Sequence, residues 1–163
     1  MGETTDVAEM VVKTETVEET RALARSLGKT LGAGDFVALS GPLGAGKTAF
    51  VQGLAEALEV PGSVTSPTFV LMRLHQGETA LCHIDAYRLD GTGDLMDIGF
   101  EDWLDEALIA LEWADTVPSV LPDERIEVEI DYAEVGRTVR LRGLGSRAVG
   151  IVERMAASND SGH

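Results

Sequence analysis

The chain has 163 residues, 44% of them apolar, with 13 Lys and Arg against 28 Asp and Glu for a formal charge of -15. That length suits one globular domain with its own core, and the sole cysteine, Cys82, excludes an intramolecular disulfide and reads as apolar filler. The acidity argues against tight direct nucleic-acid binding, which rests on neutralising Lys and Arg contacts, and no apolar run nears the about 18 residues of a membrane helix.

MVVKT at 10–14 predicts a strand, and Thr16-Val17-Glu18-Glu19 then fits the capping box that opens a helix, with Leu23, Leu27 and Leu31 on one face and Gly32 and Gly34 as its stop. FVALS, Phe36 to Ser40, is too short for a helix and reads as a buried parallel strand. It runs into GPLGAGKT, the G-x-x-x-x-G-K-[ST] spacing of a phosphate-binding loop. From Lys47 the spacing of Phe50, Val51, Leu54 and Leu58 predicts a helix, ended by Pro61 and Gly62.

TFVLMRL and ETALCHID predict an antiparallel pair about Gln76 and Gly77, followed by a turn-rich stretch over 90–94 and short helical pieces over 94–106. ALIAL is a further buried strand, ending on Glu112, and Pro118 and Pro122 mark a loop. RIEVEIDY and RTVRLR alternate apolar and polar residues across the turn at Val135 and Gly136, as a hairpin with one wet face does. The expectation is an α/β fold whose mixed sheet joins parallel core strands to antiparallel hairpins, flanked by helices. A single domain over 1–150 and a flexible tail over 151–163 complete it. The opening MGETTDVAEM has no basic segment and no apolar stretch, so the default location is cytoplasmic.

A triphosphate needs several donors converging on closely spaced oxygens, which glycine-rich backbone and the start of the following helix supply. Lys47 would reach the β and γ phosphates and Thr48 would offer its hydroxyl to Mg²⁺. The metal needs an acidic companion at the end of a neighbouring apolar strand, and both Asp85 and Glu112 qualify. Glu112 is assigned to the metal and Asp85 to orienting or activating water, with the exchanged assignment as the alternative. Thr65-Ser66-Pro67-Thr68-Phe69 is either a γ-phosphate-sensing segment or a turn into a strand. His83 falls in a strand, His75 in a turn and His163 in the tail, so no histidine cluster is expected. The only asparagine is Asn159, which leaves no Asn-Lys-x-Asp for guanine and favours adenine.

In the order GPLGAGKT, TSPTF, HIDAYRL and LEW, these motifs resemble the TsaE (YjeE) family of small bacterial ATPases, over roughly residues 8 to 142. The resemblance implies a P-loop NTPase fold, ATP and Mg²⁺ as cofactors, and weak intrinsic hydrolysis. It also implies work with the TsaD and TsaB proteins as a complex, which carries out threonylcarbamoyl transfer to the tRNA adenosine beside the anticodon. Carried over by motif, Leu43, Gly44, Ala45, Gly46, Lys47 and Thr48 would contact phosphates, Thr48 and Glu112 would ligate Mg²⁺, and Asp85 would be needed for hydrolysis. Trp113 corresponds to a position important for activity, Arg137 to a nucleotide contact, and the adenine would lie by Thr16, Val17 and Glu18. Two departures stand out: Pro42 follows the first glycine, and small residues flank His83-Ile84-Asp85 where an aromatic is common. Proline has no N–H, so that position donates nothing to phosphate. The charge of -15 fits tRNA contact made only through the partners.

Two other readings share the P-loop. A nucleotide-dependent binding switch would not need hydrolysis, and the presence of Asp85 and Glu112 weighs against it. A small-molecule kinase would carry lid arginines, yet there is no Lys or Arg between Asp90 and Glu124.

Overall fold

The computed structural model describes residues 7–62, 72–87 and 99–161. Strand β1 (Val7–Thr14) leads into helix α1 (Val17–Gly28), then β2 (Phe36–Ser40) and α2 (Lys47–Ala57). The strands β3 (Met72–His75), β4 (Leu81–Asp85) and β5 (Leu108–Glu112) follow, with a short 3-10 helix, Phe100–Trp103, before β5 and two more, Ala114–Thr116 and Pro118–Val120, after it. The hairpin β6 (Arg125–Tyr132) and β7 (Arg137–Leu144) precedes the last helix, α3 (Ser146–Ser161). The seven strands form one sheet in the order β1-β7-β6-β2-β5-β4-β3. Its centre is parallel, β2 lying between β5 and β6, and β4 extends it beside β5. Both edges are antiparallel, as the alternating sequences predict.

Alternation along β2 divides the core. Val37 and Leu39 point to the face covered by α1, α2 and α3, with Leu27, Phe50, Leu54, Ile130 and Val152. Phe36 and Ala38 point to the other, with Ile84, Ile109, Leu111 and the partly buried Trp103. Burying each large aliphatic or aromatic side chain contributes about 1.5–3 kcal/mol, so these two layers fix the positions of the strand ends.

Helix α1 starts with half of its capping box: Thr16 Oγ1 accepts from Glu19 N–H at 3.1 Å, while the Glu19 carboxylate reaches one residue past the N-cap, accepting from Glu15 N–H at 2.8 Å. It stops at Gly28, short of the expected Gly32: the next N–H groups turn back three residues, Thr30 to Leu27 O at 2.9 Å and Leu31 to Gly28 O at 3.1 Å, and α2 packs so closely there that a Cβ on Gly28 would lie 2.7 Å from Ala57 Cβ. Leu31 stays buried without being helical. The described part of the expected tail, 151–161, is helical. α3 runs to Ser161, with Ile151 and Val152 buried against the sheet. Its first turn is held by Glu124, whose Oε2 accepts from Ala148 N–H at 2.9 Å. The Thr65–Phe69 motif, the turn-rich stretch over 90–94 and the first part, 94–98, of the helical region expected after it lie outside the described residues; the described remainder holds the 3-10 helix Phe100–Trp103.

Candidate nucleotide and metal site

The loop between β2 and α2 has the backbone its sequence demands. Gly41 sits at φ +138°, and a Cβ there would fall 2.1 Å from Ile130 O, so only glycine lets the loop leave β2 against β6. Gly46, at φ +121°, is the N-cap of α2 and supplies no side chain, and no acidic residue occupies the first turn. The first N–H groups of α2 therefore have no side-chain cap, and the positive end of the helix faces the loop, an arrangement suited to an anion.

Lys47 is only 4% exposed. Its Nζ donates to Gly41 O at 2.7 Å and Pro42 O at 2.9 Å, and lies 4.0 Å from the centroid of the Trp113 ring. Burial lowers its pKa, with Glu112, Asp115 and Asp85 acting in the opposite direction. Thr48 Oγ1 donates to the Glu112 carboxylate, 3.1 Å from Oε2 and 3.3 Å from Oε1.

The acids converge because three parallel strands end together. Leu39 of β2 and Asp85 of β4 are both register partners of Glu112. Period-two alternation turns His83 and Asp85 to the same face, and Glu112 to that face from β5. Asp85 Oδ1 accepts from Tyr87 N–H at 2.9 Å. Trp113 then takes a left-handed backbone, φ +63°, and packs on Tyr87 with ring centroids 4.8 Å apart. Leu43, Lys47, Thr48, Asp85, Glu112 and Trp113 line a cavity of about 330 Å³. Among the described residues no group of three or more His, Cys, Asp or Glu could hold a metal alone. One hydroxyl and two carboxylates are hard oxygen donors, too few for a closed cage, and that suits Mg²⁺ shared with phosphate oxygens and water.

On the other side of the loop, Thr16, Val17, Gly44, Ala45, Gly46 and Arg137 line a second cavity, of about 250 Å³. Arg137 Nε donates to Ala45 O at 2.9 Å, and its guanidinium stacks over Tyr132 at 4.8 Å. Tyr132 in turn donates its hydroxyl to Leu43 O. Val17, Leu43 to Thr48, Asp85, Glu112, Trp113 and Arg137 thus gather around one loop, in two cavities, whereas Glu18 lines neither and Thr65 to Phe69 lie outside the described residues.

Two residues were missed. Tyr132 reads as an inward residue of its strand but lies past the last buried position, Ile130, and grips the loop. His83 Nε2 meets Glu112 Oε2 at 2.6 Å with both residues buried. The available signal was the spacing of His83 and Asp85, which puts both on the face that Glu112 shares. His75, expected in a turn, ends β3.

Comparison with known proteins decides the family. The family model described as threonylcarbamoyl adenosine biosynthesis protein TsaE matches residues 14–140. The chain belongs to the TsaE family. A relative in Streptomyces coelicolor, tRNA threonylcarbamoyladenosine biosynthesis protein TsaE, is 45% identical over 137 residues, 78% of this chain and 92% of its own length. The Bacillus subtilis protein of that name is 32% identical over 147 residues, 88% of this chain and 92% of the relative. The crystal structure of Bacillus subtilis YdiB superposes with a TM-score of 0.78 at 28% identity, covering 94% of this chain and 97% of that one. The mixed α/β P-loop architecture of this chain is therefore shared with that solved structure. Among the described residues no helix is long and apolar enough to cross a membrane.

Proposed function

We propose that this TsaE family member is the ATP-binding and hydrolysing subunit of tRNA threonylcarbamoyladenosine biosynthesis, cycling a TsaD–TsaB transferase complex in the cytoplasm. The convergence of Lys47, Thr48, Asp85 and Glu112 at one loop carries this reading. The uncapped N–H groups of α2 and the Lys47 ammonium bind the phosphate chain, Lys47 leaving Gly41 O or Pro42 O to do so. Thr48 and Glu112 would hold Mg²⁺, which supplies charge neutralisation at the β- and γ-phosphate oxygens. Asp85, at the end of β4, orients the attacking water and accepts its proton. Val17 and Arg137 line the cavity suited to the adenosine end, and Trp113 packs over Lys47. With a charge of -15, this chain meets tRNA only through its partners.

The test is phosphate release by the purified chain alone and with TsaD and TsaB, combined with a pull-down of the assembly. Weak release alone and strong stimulation within a stable complex are expected. Unstimulated release, or phosphate transfer to a small metabolite, refutes the proposal.

A further inference from the structure

We infer that His83 is a positioning residue that fixes the Glu112 carboxylate for metal binding; this rests on the reading of Thr48 and Glu112 as the Mg²⁺ ligands. Both side chains are enclosed, His83 at 0% and Glu112 at 4% exposure, and their 2.6 Å contact is the imidazole's only hydrogen bond among the described residues. The other ring nitrogen, Nδ1, is buried with no hydrogen-bond partner among the described residues. A carboxylate only accepts, so Nε2 carries the hydrogen of this bond. An apolar side chain would fill this place in the sheet without an unpaired nitrogen, so the bond to Glu112 is what the imidazole adds.

The register explains why that bond matters. His83 is opposite Ala110 and Asp85 is opposite Glu112, so His83 holds the carboxylate diagonally from beneath, on the sheet side. Thr48 meets the same carboxylate from α2, and the Lys47 ammonium is close enough to feel its charge. Tied to His83, Glu112 faces the Thr48 hydroxyl; released, it can turn to Lys47 and occupy the cation meant for phosphate. Partners that orient metal ligands in this way typically change metal affinity by about 10–100-fold when removed.

The experiment measures Mn²⁺ affinity by electron paramagnetic resonance on the full chain with a non-hydrolysable ATP analogue, with nucleotide affinity in EDTA measured in parallel. His83→Leu should weaken Mn²⁺ binding by about tenfold or more while nucleotide affinity without metal changes less than about twofold. His83→Gln, whose Nε2–H lies about as far from Cβ as that of histidine, should restore most of the affinity; His83→Asn, too short to reach Glu112, should not. Mn²⁺ binding within twofold of wild type in His83→Leu overturns the inference, and so does equal loss in the Gln and Leu variants, which marks a packing role. If His83→Leu does not fold, the contrast between Gln and Asn decides. Glu112→Gln separates this inference from its foundation: unchanged Mn²⁺ affinity there removes Glu112 as a ligand, whereas loss in Glu112→Gln without loss in His83→Leu refutes the His83 role alone.

Discussion

Replacing Lys47 with Met keeps most of the aliphatic stem packed in the loop and removes the ammonium. In the free protein that ammonium holds two carbonyls, at 2.7 and 2.9 Å, and sits over Trp113. A hydrogen bond to a charged group contributes about 1.5–3 kcal/mol, but Lys47 must release a carbonyl for each phosphate oxygen it takes. The net loss should therefore lie near the lower figure, ~1.5 kcal/mol, or about tenfold in Kd. The same change leaves the Gly41 and Pro42 carbonyls without this donor, so the free protein should also lose about 1–3 kcal/mol of stability. Calorimetric titration with a non-hydrolysable ATP analogue and Mg²⁺, run well below the variant's melting temperature, separates the two effects. A Kd within twofold of wild type alongside a lowered melting temperature would refute the reasoning and leave the lysine as a strap for its own loop.

Asp85→Asn should retain nucleotide affinity while phosphate release falls by about a hundredfold or more, as loss of a general base does; turnover at the wild-type rate would remove Asp85 from the chemistry. Gly53→Ala gains about 1 kcal/mol of helix propensity, yet its Cβ would lie 2.3 Å from Arg21 O and 2.6 Å from Ala24 Cβ. Overpacking of about 1–3 kcal/mol should win, and a raised melting temperature would contradict that. Burial pushes the Cys82 thiol from 9.0 up to about 12, so a thiol reagent at pH 8 should leave it unlabelled in the native protein and label it fully in denaturant, read by mass spectrometry. Because the folded value is the higher one, the stability linked to this thiol is complete below about pH 9 and should decline as pH rises toward 12.

Much of the site is legible because its chemistry is local. The loop motif lies between an apolar strand and a helix, and both acids stand at the ends of apolar runs, so order along the chain already puts them near the phosphates. What stayed hidden depends on contacts far apart in sequence. His83 and Glu112 are 29 residues apart and meet only through the β4–β5 register. Leu31 keeps the spacing of Leu23 and Leu27, so periodicity extends α1 past the point where Gly28 meets Ala57. The stretch after Gly145 is rich in Ser and Gly, and it folds as α3 because β1 and β7 offer a face for Ile151 and Val152.

The tip of the β6–β7 hairpin, where Tyr132 and Arg137 hold Leu43 O and Ala45 O, sets a limit on engineering this protein. Lengthening that turn by one residue shifts the pairing and sends Arg137 to the opposite side of the strand, releasing the phosphate loop from a place some ninety residues downstream. Tags, grafts and reporter insertions belong elsewhere, because two side chains at that tip, Tyr132 and Arg137, set the shape of the loop between β2 and α2.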